Sequence, residues 1–147
     1  DFFDIEKIKS ILLISLIIND NHPLLDFNLH WVHNPVTGLF EPTFREGFIY
    51  SLSGFELNKL TYQGLINDLY EKFIKDDFAD FVATNLPLVK NIILSNSDYK
   101  DFKNKMSGFL DQIETRENII LENISIIEKS LKNYPIKLRN HELETLA

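Results

Sequence analysis

No cysteine occurs in this 147-residue chain, which excludes disulfides, thiolate nucleophiles and cysteine-ligated zinc together. It leaves the compartment open, because a chain of this size can bury a core without staples. Cationic clusters are also lacking. The net charge is −7, and Asp98 and Asp101 dilute the loose group Lys100, Lys103 and Lys105. A protein built to grip nucleic-acid phosphates needs the opposite balance, so no nucleic-acid partner is expected. No apolar run reaches the roughly 20 residues of a bilayer span. The longest, Ile11 to Ile18, is interrupted by Ser15. Neither repeats nor low-complexity segments appear, and there is no Gly-rich nucleotide loop. The chain opens on Asp1 and the aromatic pair Phe2-Phe3 without an initiator Met, so a segment of a longer protein is expected, with any leader or upstream domain outside it.

What is present is ordinary globular composition, 44% apolar and 25% charged, enough for one domain over residues 1–147. The unusual chemistry lies between Asn19 and Gly47, which holds three of the four histidines, the only tryptophan and three of the five prolines. A site is expected there. The stretch reads as a polar loop from Asn19 to Asp26, a strand from Phe27 to His33, a turn at Asn34-Pro35-Val36-Thr37-Gly38 and a second strand from Leu39 to Phe44. Pro35 presets one turn angle and Gly38 supplies a positive one, so the pattern predicts a hairpin. Alternation along the first strand sends Leu29, Trp31 and His33 to one face, with Asn28, His30 and Val32 on the other. His30 and His33 are therefore poorly arranged to share a metal, which would need His22 or the acids as well. Surface or hydrogen-bonded histidines are the expectation.

The remainder reads as helix. Asp4 caps a helix to about Ile18, with Glu6 in the first turn. Its all-round apolar second half predicts burial between other layers. Residues 47 to 61 form an irregular connector. An apolar face over Leu65, Ile66, Leu69, Tyr70, Phe73 and Ile74 predicts a helix from about Tyr62 to Ile74. The next begins near Asp76 or Asp77, and Pro87 predicts a break, with Asn85 capping a new segment from Leu86 to Leu94. Ser97 or Asp98 opens a last long pattern, Tyr99 through Leu131, whose stripe lapses at Thr115-Arg116-Glu117. There either one helix crosses a polar patch or two helices meet. Pro135 ends it, and Ile136 to Leu138 is expected to be a short extended piece before an acidic tail. The fold class is thus α+β, predominantly helical over 62–133 with one hairpin at about 27–44.

Asn28, Asn34, Pro35, Thr37, Gly38, Glu41 and Pro42, within the order helix, His22-bearing loop, strand, NPVTGLFEP and second strand, resemble the spore-coat H (CotH-like) family over roughly Ile5 to Gly47. That family comprises bacterial atypical protein kinases, often exported, which transfer phosphate from ATP to protein hydroxyls with a divalent metal. The resemblance implies the C-terminal, mostly helical lobe of such a kinase. It implies magnesium and ATP as cofactors, a missing N-terminal lobe and a protein substrate as partners, and a secreted or cell-envelope location. It places Asn28 at a metal-holding asparagine, and Arg45 at the aspartate that ends the second strand and binds the phosphate-bridging metal. Glu46 stands beside it, one residue out of register. Asp20 and Asp26, in the preceding loop, are the candidate catalytic acids, and each also suits an ordinary turn role.

A guanidinium at the metal-binding position repels the cation it replaces, so the site is expected to be degenerate and the isolated chain inactive. Arg45 is then expected to pair with Asp20, Asp26 or Glu46. The alternative, from another class, is a non-catalytic helical domain for protein interaction or scaffolding.

Overall fold

The first helix, α1 (Ile5–Ile18), starts where Asp4 accepts a hydrogen bond from the Lys7 amide and stops where Asn19 adopts a left-handed conformation. Asn19 and the two residues after it compete with helix geometry through their short polar side chains. In this computed structural model, which describes residues 2–45 and 47–134, α1 is buried on nearly all sides. Only Ile14 of its second half is strongly exposed, at 42%. The all-round apolar text from Ile11 to Ile18 therefore predicted its place correctly.

A short turn of 3-10 helix at His22–Leu24 leads to β1 (His30–His33), which pairs antiparallel with β2 (Phe40–Thr43), His30 opposite Thr43 and His33 opposite Phe40. The paired strands are shorter than the pattern from Phe27 to Phe44 because Asn28 and Leu29 donate their amides to Leu25 and close a turn instead. Asn34 builds the connecting loop. Its Oδ1 accepts from the Val36 amide at 2.9 Å, and Gly38, at φ +74°, returns its own amide to the Asn34 carbonyl. Asn34 Nδ2 also donates to Glu41 at 2.6 Å, and Glu41 pairs with Lys7 on α1. The Lys7 and Asn34 hydrogen bonds hold the Glu41 carboxyl below its ordinary pKa. The NPVTGLFEP stretch thus fastens the hairpin to the first helix. Phe3 adds a single parallel bridge to Phe40, and its ring meets Trp31 edge-on at 4.9 Å.

The connector from residue 47 is irregular apart from Leu57–Lys59. It leads to α2 (Gly64–Leu69), which continues as a wider π turn over Tyr70–Ile74, and then to α3 (Phe78–Ser95). Asn85 does not cap a new helix, and Pro87 does not break the old one: α3 runs through both. Asn85 instead donates its side-chain amide to Phe81. Pro87 forfeits one ladder bond, while Phe78, Val82 and Leu86 seat the helix against the core. Burial of that face outweighs the local penalty of roughly 3 kcal/mol.

Of the two alternatives left open at Thr115-Arg116-Glu117, a helix crossing a polar patch is the one observed, and the last long pattern breaks earlier instead. α4 (Ser97–Lys105) ends at Met106, a turn at Ser107–Phe109 follows, and α5 (Leu110–Lys132) passes unbroken through Thr115, Arg116 and Glu117. Gly108 marks the true interruption. Glu117 is the polar patch the helix crosses, and it accepts from Tyr99 and pairs with Lys103 of α4. The stretch from Pro135 onward lies outside the described residues.

One buried cluster joins α1, α2, α3 and the second half of α5, with Ile8, Leu12, Ile66, Phe78, Val82, Ile124 and Ile127 at its centre. No helix among the described residues is long and apolar enough to cross a membrane. Lys9 is buried in this region and bridges Glu6 and Asp77 at 3.0 and 3.1 Å. Burial works against its charge, but those two partners outweigh it and raise its pKa.

Two tyrosines give the core an alkaline limit. Burial first, then Glu71 and Tyr134, push the Tyr70 hydroxyl up to about 12, and burial together with Tyr70 raises Tyr62 further. The folded state holds these protons above the ordinary tyrosine value near 10, so their contribution is intact below pH 10 and is lost as pH rises through 12. Urea midpoints are expected to fall between pH 9.5 and about 12, and the Tyr62→Phe, Tyr70→Phe double variant should flatten that decline.

Candidate functional site

Asp20 ties the loop after α1 to the connector that follows β2. Asp20 is buried, and its carboxylate accepts from the His22 amide and the Phe48 amide, both at 2.9 Å. One carboxylate so fixes two segments 28 residues apart in sequence. Asp26 is exposed and accepts from the Leu65 amide at 3.2 Å, at the start of α2. Both candidate acids are therefore engaged with backbone amides.

The other candidates converge on a concave pocket of about 380 Å³, lined by His22, Pro23, Phe27, Asn28, His30 and Arg45. Asn28 reaches back across the loop, its Nδ2 lying 3.0 Å from the His22 carbonyl and 3.2 Å from His22 Nδ1. Arg45 Nη1 lies 2.9 Å from His30 Nε2. A guanidinium only donates, so His30 Nε2 is the acceptor in this contact. Arg45 finds His30 rather than Asp20 or Asp26 because His30 is the register partner of Thr43, two residues before Arg45. Asp20 meanwhile is turned inward under the loop. Glu46 lies outside the described residues.

Of the residues the sequence singled out, Asn28 and Arg45 share this pocket, while Asp20 and Asp26 are not among its lining residues and accept from backbone amides. His22 and His30 were not assigned there as ligand-binding residues. Their enrichment in the stretch was the available signal, but strand alternation says nothing about a loop histidine folding back. His33 does point away, packing against Phe40 with ring centroids 5.3 Å apart. Phe27, 75% exposed, forms an apolar wall and meets His22 edge-on.

The lining holds one permanent cation and no carboxylate, together with two imidazoles and an amide whose Nδ2 is already directed at His22. Such a set attracts an oxyanion, which a guanidinium meets with two parallel N–H groups. It fits a magnesium ion poorly, because that cation requires several oxygen ligands, carboxylates above all. Among the described residues no three His, Asp or Glu side chains are grouped to hold a metal.

No family model, curated protein or solved structure matches this chain.

Proposed function

We propose that this chain is a non-catalytic helical binding domain that takes an anionic group, a phosphate or a carboxylate, of its partner in the pocket between the post-α1 loop and the end of β2. The observation that carries this reading is the sorting of charge. Arg45 brings a permanent cation to the pocket, beside His30, His22 and Asn28, whereas Asp20 and Asp26 are not among its lining residues and accept from backbone amides. The helices supply a rigid base, and the hairpin and loop present the pocket at its edge.

A second reading rests on a specific observation too. Asn28 and Arg45 are the two positions to which the CotH-like resemblance assigns metal and phosphate contacts, and they line one pocket. In that reading the chain is the C-terminal lobe of a degenerate protein kinase, completed by a separate N-terminal lobe, with ATP and magnesium if any activity persists.

Calorimetry separates the two. The first reading expects inorganic phosphate to bind without magnesium and Arg45→Ala to weaken it about tenfold or more, the loss of one charge-assisted contact of ~1.5–3 kcal/mol. Magnesium-dependent ATP binding at micromolar level, lost in Asn28→Ala, would favour the second reading and overturn the first.

A further inference from the structure

His22 lines a second cavity as well as the first. This one is a concavity of about 410 Å³, walled as well by Asn21, Leu24, Leu25, Thr61, Tyr62 and Gln63. Its character differs: Leu24, Leu25 and the Tyr62 ring bring an apolar part to the wall, beside the polar side chains of Asn21, Thr61 and Gln63. Tyr62 is a fixed wall, since its ring packs edge-on against Tyr70 at 4.8 Å and burial holds its hydroxyl protonated. Leu24 is buried in the core cluster, and the His22–Leu24 turn that carries both His22 and Leu24 is pinned by Asp20. The two cavities therefore keep a fixed relation through one short turn, with His22 as their common wall.

We infer that the two cavities are halves of one groove, and that its ligand is an amphiphilic anion: an anionic head at Arg45 and His30, and an apolar tail laid past His22 against Leu25 and Tyr62. This deepens the proposed anion-binding function and rests on it. Charge complementarity fixes the polarity of the ligand, because Arg45 stands in the first cavity and the second is walled by Leu24, Leu25 and Tyr62 with no cation among its lining residues. A bare phosphate would leave the second cavity to water. A tail there removes apolar surface from water at a gain of about 0.8 kcal/mol for each buried methylene. The same chemistry occurs in a small alkyl phosphate and in a phosphorylated side chain followed by an apolar residue.

Titration of the whole chain with inorganic phosphate, hexyl phosphate and the peptide Leu-phosphoserine-Leu tests this. Hexyl phosphate is expected to bind at least about tenfold more tightly than inorganic phosphate, from two or more buried methylenes. Gln63→Trp is expected to erase that ratio. Gln63 is exposed and makes no side-chain capping bond, so the larger ring fills the second cavity without removing a contact. A peptide tighter than hexyl phosphate identifies a protein segment as the source, and a weaker one a small molecule. Equal affinities for phosphate and hexyl phosphate, or an advantage that survives Gln63→Trp, would overturn the tail site while leaving the anion pocket standing. Failure of all three probes to bind would remove the anion pocket and the tail site together.

Discussion

Asn123→Leu is expected to lower the unfolding free energy by about 3–5 kcal/mol, a large share of the ~5–15 kcal/mol usual for a domain. Asn123 is fully buried on α5. Its Nδ2 donates to the Ile17 and Tyr50 carbonyls, and its Oδ1 accepts from the Leu52 amide, all at 2.8 Å. Three backbone groups thus depend on one side chain. The Ile17 carbonyl lies in the last turn of α1, where no helical partner remains for it. Leucine has nearly the same volume, so little cavity forms, and the effect isolates the orphaned polar groups at ~1–3 kcal/mol each. The upper end is not reached because Tyr50 is exposed and water can recover its carbonyl. Denaturant unfolding measures it, with Glu122→Leu on the exposed neighbouring position as the control, expected within about 0.5 kcal/mol of wild type. A loss under about 1 kcal/mol would mean that the connector is not held through Asn123.

The second large effect belongs to Asp20. Asp20→Ala is expected to cost about 2–4 kcal/mol, since two hydrogen bonds from backbone amides to a buried carboxylate vanish together. Asp20→Asn should recover less than half of that. An amide keeps one acceptor oxygen for either the His22 or the Phe48 N–H, and turns an NH2 group toward the other. Hydrogen exchange over residues 19–24 and 47–50 should rise in both variants, more so in the alanine. A catalytic acid with no structural duty would show the reverse, with stability unchanged.

These two residues mark how far the sequence could be read. The hairpin was legible because turn chemistry is local: Asn34, Pro35 and Gly38 state it within five positions, and Gly38 adopts the positive φ that the turn required. The burial of α1 was legible because apolar residues on every side leave no solvent face. Pro87 misled because a local penalty was weighed without the buried face of Phe78, Val82 and Leu86 that overrides it. Asn123 carried a signal, a polar residue on the stripe of Ile120, Ile124 and Ile127, but its partners are up to 106 residues away. The site was half legible. Asn28 and Arg45, both named from the sequence, line one pocket, but His22 enters through a loop whose path Asp20 sets, and no periodicity encodes such a tertiary tie.

The measurement that bears most directly on the account follows the side chains of Arg45, His30 and His22 by 15N nuclear magnetic resonance while inorganic phosphate is added without any divalent metal. The account predicts saturable shifts at all three, loss of the shifts in Arg45→Ala, and no comparable change at His33, which packs on Phe40 and is not among the pocket's lining residues. Unchanged Arg45 and His30 signals at saturating phosphate, or shifts that persist in Arg45→Ala, would contradict the claim that this pocket binds anions.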